Sequence, residues 1–333
     1  MNTRDCRLMA LIGPGRSGTT WAGALLDSCP EVIYRFEPFH RMARTDATFR
    51  DWFDRLKQGN VTESDLPRIY ELLRTAHPLT NKPPYFPDKR YRQVSAFRER
   101  LWPAARALRL AAKAYGWAYS PPSGPPLVFK EVTFVKPLRT LVEKTSMPIV
   151  YLVRHPCATV MSDVTGQRNG KMPQDRQRRL GELLRQEAPE LADRFADVVA
   201  GTDIVQRTAL LWRYEIESCV PVVRQSTRGM LLTNEQLADD AHVHAKAMLQ
   251  HFGLEYSDQT QAFIDSLYEI RVDGTRGPAR TGWGDKYFSV FRNPREEKDA
   301  WKTKISAEDR GKIEAIVADS DAVALCAKIG SWQ

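Results

Sequence analysis

The sequence predicts an α/β fold of three layers, with a central parallel sheet of about five strands and helical insertions. Three observations carry that expectation. Five short apolar runs, Leu8–Ile12, Glu31–Tyr34, Leu127–Val132, Ile149–Val153 and Met230–Thr233, read as strands buried on both faces. Helical patterns separate them, and strand–helix alternation belongs to parallel strands joined by crossovers. The first run leads straight into a glycine-rich turn, and a helical pattern through Trp21, Leu25 and Leu26 follows the turn.

The chain has 333 residues, room for one large domain with insertions or for two modest ones. A 42% hydrophobic and 10% aromatic content supports a packed core and excludes long disorder. We expect a single domain over residues 1–333. No apolar run approaches the ~20 residues that span a bilayer. Because the first strand starts at Leu8, a cytoplasmic protein is expected if Met1 is the natural start. The five cysteines are scattered without a CxxC pair, which points to reduced thiols and no zinc site.

The net charge of +8 is unevenly placed. Residues 41–126 carry 16 Lys/Arg against 8 Asp/Glu, an excess equal to that of the whole chain. A solvated basic surface accounts for this, and so does a surface for an acidic acceptor, an anionic glycan or a lipid head group. No nucleic-acid recognition motif accompanies the charge, so nucleic acid is not an expected partner. The segment reads as a basic, mostly helical insertion that ends in the proline-rich linker Pro121–Pro126. Within it Phe97, Leu101, Ala105, Leu108, Ala112 and Tyr115 recur at helical spacing, with Arg98, Arg106, Arg109 and Lys113 on other faces. Pro103 should kink that helix or mark its first turn. We read it as packed on the core, with a membrane-surface helix as the other reading. Residues 165–201 are polar and helical, as in a cover.

Gly13-Pro14-Gly15-Arg16-Ser17-Gly18-Thr19-Thr20 lies between the first strand and its helix. Glycines let the backbone approach an anion, and the free N–H groups of a helix start point at it. The spacing matches a Walker A loop, but an ATP-using loop places Lys after the last glycine, and here Thr19 stands there. The cation comes earlier, at Arg16. A phosphosulfate carries less charge than a triphosphate, and backbone amides, hydroxyls and one cation suffice for it. Arg16 is placed to stabilise the oxygen that leaves. A second anion site is expected where the fourth strand ends in Arg154-His155-Pro156, with Ser162 in the following helix. An Arg154–Asp163 ion pair is the plainer reading of that stretch.

Arg16-Ser17-Gly18-Thr19-Thr20-Trp21 resembles the 5′-phosphosulfate loop of the sulfotransferases that use 3′-phosphoadenosine 5′-phosphosulfate (PAPS). Arg in place of Lys makes it similar to the carbohydrate, Golgi-type branch and its bacterial relatives. The resemblance implies a P-loop nucleotide-kinase-like fold, PAPS as donor, PAP as product and no metal. It implies that Arg16, Ser17, Gly18, Thr19, Thr20 and Trp21 hold the 5′-phosphosulfate, and Arg154 and Ser162 the 3′-phosphate. Phe291-Arg292-Asn293-Pro294 and Trp301-Lys302 resemble the family's tail, which implies that Arg292 and Trp301 close over the nucleotide. Residues 271–304 are then a cofactor and substrate flap, with Gly274–Tyr287 its mobile part. A Golgi lumen location follows if an N-terminal anchor precedes this sequence.

Sulfuryl transfer needs a base for the acceptor proton. Glu37, in Phe36-Glu37-Pro38, follows the second strand and is similar to a carboxylate that carbohydrate sulfotransferases place near the acceptor hydroxyl. A salt bridge to Arg35 or Arg41 is the structural alternative. His40 and His155 are alternative bases. Lys130-Glu131 faces the same edge, where Lys130 assists the sulfuryl oxygens or forms an ion pair. The expected reaction is O-sulfation of a carbohydrate or glycoconjugate. A lipid, small alcohol or peptide tyrosine acceptor, a P-loop kinase using ATP and Mg²⁺, and a non-catalytic glycan binder are the competing readings.

Overall fold

The computed structural model describes residues 7–91, 97–172, 178–269 and 291–332. Its strands are β1 (Leu8–Gly13), β2 (Ile33–Phe36), β3 (Leu127–Val132), β4 (Ile149–Val153) and β5 (Gly229–Thr233). Every pairing is parallel, in the order β2-β3-β1-β4-β5. The expected α/β class and strand number are therefore observed. β2 starts two residues later than the sequence suggests. The Val32 carbonyl accepts from Lys89 Nζ at 2.9 Å and from the Tyr91 hydroxyl at 3.0 Å, and this holds it out of the ladder.

Helices used below are α1 (Thr19–Ser28), α2 (Pro38–Met42), α3 (Ala47–Lys57), α4 (Leu66–Arg74), α5 (Phe97–Ala107), α6 (Arg109–Tyr119), α7 (Val135–Lys144) and α8 (Pro156–Arg168). Alternation along β1 builds two cores, one on each face of the sheet. Leu8, Ala10 and Ile12 enter a core with residues of α7, α8 and the long helix Ile204–Gln225. Met9 and Leu11 face the other way, into a core with α1 and the helices Ala241–His251 and Asp258–Tyr268. Within 165–201 helices run over Leu180–Glu187, Pro189–Arg194 and Ala196–Ala200, and Leu180, Leu184 and Leu191 pack in the first core.

The basic insertion differs from its expected form. One helix through residues 97–115 is replaced by a hairpin of α5 and α6, broken at Leu108 in an extended conformation (φ −120°, ψ 126°). Pro103 lies inside α5. The break lets Ala105 and Tyr115 meet Ala76 in one small cluster, which a straight helix would keep apart. Arg98 holds the hairpin closed. Its guanidinium lies over the rings of Tyr85, Tyr115 and Tyr119, and its Nε donates to the Tyr115 hydroxyl at 3.0 Å. Core packing along the whole face is thus not what forms: Leu108 is exposed. The 274–287 part of the expected flap lies outside the described residues. Among the described residues no helix is long and apolar enough to cross a membrane, and Cys29, Cys157, Cys219 and Cys326 are buried and free.

Lys89 fastens the loop after residue 77 to the start of β2. Its buried ammonium pairs with Asp27 Oδ1 at 2.9 Å and donates to the carbonyls of Asp27, Cys29 (3.2 Å) and Val32 (2.9 Å). Burial opposes the charge, and Asp27 more than compensates, so the Lys89 pKa is raised. Lys89→Ala leaves the Asp27 carboxylate without its ammonium partner and removes one donor from each of three carbonyls. We expect it to cost about 3–5 kcal/mol in urea unfolding; a loss under 1 kcal/mol would mean the loop is held elsewhere.

Candidate active site

Parallel strands put their C-terminal ends on one edge, and the candidate groups collect there. Gly13 of β1 pairs with Val132 of β3, and Thr133 N–H donates to the Gly13 carbonyl at 3.2 Å. Three residues just past β1, β2 and β3 hold left-handed backbone without being glycine: Arg16 (φ 69°), Glu37 (φ 48°) and Thr133 (φ 54°). Among the described residues only Ser331 shares that property. Such conformations cost of order 1–3 kcal/mol each and persist where neighbours enforce them.

The loop after β1 is shaped by close approach. A Cβ on Gly13 would collide with the Leu152 carbonyl, and one on Gly18 with the Asn234 side-chain amide. Gly18 also needs its positive φ of 91° to cap α1. At the start of α1 the N–H groups of Gly18, Thr19 and Thr20 have no intrahelical acceptor, and no side chain caps them. Around this helix start are three buried polar atoms without a hydrogen-bond partner among the described residues: Ser17 Oγ, Trp21 Nε1 and Arg154 Nε. An unpaired buried donor costs about 1–3 kcal/mol. They belong to the loop, to the first turn of α1 and to the end of β4, the strand beside β1.

Arg16 Nε donates to Ser162 Oγ at 2.9 Å and so ties the loop to α8. Ser162, expected to share one phosphate with Arg154, thus accepts a bond from Arg16. Arg154 follows β4 and donates from Nη2 to the Glu297 carbonyl at 2.8 Å. Burial lowers its pKa; Glu235 and Glu297 oppose the shift, and Arg16 and Arg292 add to it. Arg292 forms an ion pair with the Glu297 carboxylate at 3.0 Å. Trp301 departs from expectation: it is buried in the core with its ring stacked on His155, centroids 4.4 Å apart. Packing accounts for it. His155 is held by the same contacts, with its N–H on Glu235 at 3.0 Å and Trp332 against its other side. Burial, then Lys302, pushes its pKa down to about 4.

On the β2 side, Glu37 is locked in place. Its Oε1 pairs with Lys130 Nζ at 2.6 Å and its Oε2 with Arg41 Nη2 at 3.1 Å. Burial raises its pKa, but Lys130, Arg41 and Lys82 outweigh that and bring it to about 2. The salt bridge to Arg41 is thus real. Arg35 instead turns inward to the carbonyls of Tyr34, Leu73 and Arg74. Three cations surround the Phe36 ring: Lys82 at 3.4 Å, Lys130 at 4.5 Å and Arg41 at 4.6 Å from its centroid. Burial and then Lys130 bring the Lys82 pKa down to about 7, against the pull of Glu37.

Glu131 does not pair with Lys130. Its fully buried carboxylate caps α2, accepting from Phe39 N–H at 2.7 Å and His40 N–H at 3.4 Å, and its Oε2 meets His40 Nδ1 at 2.6 Å. Burial raises the Glu131 pKa against the opposing effect of His40. With Nδ1 engaged, the tautomer that donates to Glu131 turns Nε2 into a free acceptor. Phe53 packs on the His40 ring at 5.0 Å. The sequence singles out neither this dyad nor Lys82. The available signals were two charges closing an apolar strand and a lysine before Pro83-Pro84. Among the described residues no group of three or more His, Cys, Asp or Glu is gathered as metal ligands are. His242 bonds Tyr256 and Asp265, and His251 lies against the Arg228 carbonyl.

No protein-family model matches the chain, and no curated protein matches it. Solved structures do resemble it at low identity. The sulfotransferase domain from the curacin biosynthetic pathway is 12% identical, with 96% of this chain and 99% of that one covered and a TM-score of 0.46. The sulfotransferase domain of the Synechococcus olefin synthase is 13% identical, with 96% and 98% covered and a TM-score of 0.46. A mouse sulfotransferase complexed with PAP is 11% identical, with 98% and 88% covered and a TM-score of 0.45.

Because the folded pKa of Glu37 is about 2 against an ordinary 4.5, its ionised form stabilises the protein above pH 4.5. That contribution is lost as pH falls through 2. Acid unfolding of Glu37→Gln, followed by circular dichroism, should therefore depend less on pH between those values than that of the parent. Parallel curves would show that the ion pairs do not hold Glu37 charged.

Proposed function

We propose that the chain is a PAPS-dependent O-sulfotransferase that transfers a sulfuryl group to an acceptor hydroxyl. The observation that carries the reading is the set of unpaired buried donors, Ser17 Oγ, Trp21 Nε1 and Arg154 Nε, around a helix start served by Arg16. Thr19 is buried where an ATP-binding loop needs an outward lysine, which weighs against the kinase reading. Gly18, Thr19 and Thr20 would offer backbone N–H groups to the phosphosulfate. Arg16 would face the oxygen that departs, and Arg154, with Arg292 beside it, the 3′-phosphate.

In the reaction the acceptor oxygen forms a bond to sulfur as the bond from sulfur to the phosphate oxygen breaks. That oxygen keeps the electron pair and leaves in PAP, and Arg16 and Lys130 offset its charge. We assign the acceptor proton to His40 Nε2, with Glu131 fixing the tautomer and stabilising the imidazolium that forms. Glu37 fits this role less well, because both its oxygens are paired and its pKa of about 2 makes it a weak base. It fits a positioning role, as the counter-charge that keeps Lys130 and Arg41 in place. A carbohydrate or glycoconjugate remains the acceptor we favour. The cations around Phe36 support one that carries negative charge.

PAP should raise the melting temperature in the presence of EDTA, by an amount equivalent to about 2.7 kcal/mol at one hundred times Kd. No shift at saturation ends the donor assignment, and metal-dependent ATP turnover would favour a kinase. His40→Asn and Glu131→Gln should retain PAP binding and lose about 10²–10⁴-fold in transfer, measured over a panel of hydroxyl acceptors. Transfer that survives His40→Asn but not Glu37→Gln would return the base role to Glu37.

A further inference from the structure

The outer face of α6 has no use in the reaction, yet it departs most from what a soluble surface looks like. Leu108 is 62% exposed, Leu110 81% and Trp117 89%. With Val243, these are the large apolar side chains standing out among the described residues. Leu110, Lys113, Ala114 and Trp117 recur at intervals of three and four, so they share one side of the helix. Tyr115 and Gly116 occupy the other side, buried towards Ala76. The helix is therefore held by its inner face and presents its outer face.

The charges on this face are of one sign. Arg109 and Lys113 of α6 are exposed, and neither forms an ion pair among the described residues. No Asp or Glu occurs between Glu99 and Glu131. We propose that this face docks on an anionic lipid bilayer. Leucine and tryptophan side chains on a short helix insert at the depth of the headgroups and upper acyl chains, while arginine and lysine at their flanks meet lipid phosphates. A second copy of the chain is a poorer occupant. A two-fold contact sets a patch against itself, which would bring these unpaired cations together. A bilayer supplies a flat apolar surface and the missing negative charge at once. The inference is independent of the sulfotransferase reading.

The test is vesicle co-sedimentation of the full chain with phosphatidylcholine vesicles, with and without phosphatidylglycerol. Binding should be at least about tenfold tighter to the anionic vesicles and should weaken as salt rises past the Debye-screening range. Leu110→Ser with Trp117→Ser should reduce that binding by about tenfold or more, and Arg109→Glu with Lys113→Glu should remove the preference for anionic lipid. All four side chains are exposed, so melting temperatures should match the parent and identify any variant that fails to fold. Trp117→Phe should keep binding but remove the blue shift in tryptophan emission that accompanies it. The proposal is overturned if anionic vesicles do not bind the parent, or if the Leu110/Trp117 variant binds as the parent does. It is equally overturned if sedimentation equilibrium shows a dimer that the same substitutions dissociate.

Discussion

The site rests on one constraint: all five strands run the same way. The ends of β1, β2, β3 and β4 therefore open onto a single edge, and residues from distant parts of the chain meet there. Arg16 reaches Ser162, and Glu131 reaches His40, across 146 and 91 positions of sequence. Left-handed backbone at Arg16, Glu37 and Thr133 is the local cost of turning three adjacent strand ends within so little space. Those turns bring the loop after β1, Glu37 and the start of α2 to the same edge of the sheet.

Much of this was legible in the residues. Apolar runs bounded by turn signals mark the strands, and β3 and β4 fall on the expected bounds because both are buried on both faces. The glycine loop was legible because its geometry depends on residues adjacent in sequence. What depends on contacts between distant residues was not. The start of β2 is set by Lys89, and the break at Leu108 by the meeting of Ala105, Tyr115 and Ala76. Glu131 looks like half of an ion pair with its neighbour until α2 folds over β3 and puts His40 against it. Trp301 carries a motif-like context, but its neighbours His155 and Trp332 make it a core residue.

The two halves of the edge are electrostatically different. Around Phe36 the cations are answered by one carboxylate, Glu37, with Lys82 left over. Around the glycine loop Arg16 meets Ser162, Arg154 the Glu297 carbonyl and Arg292 the Glu297 carboxylate. Both halves favour a negatively charged occupant. The buried Glu131 fixes His40 by its ring and by its backbone N–H.

Arg154 illustrates what that arrangement means for the protein alone. Its guanidinium is buried, and Glu235 and Glu297 counter the nearby Arg16 and Arg292, so burial is the main cost of keeping it charged. Under the proposed function, an anion at this place would offset part of that burial cost. Small buffer anions such as sulfate and phosphate would provide the same offset and would compete for the place proposed for the nucleotide. The choice of buffer would then shift the apparent strength of ligand binding at the proposed site.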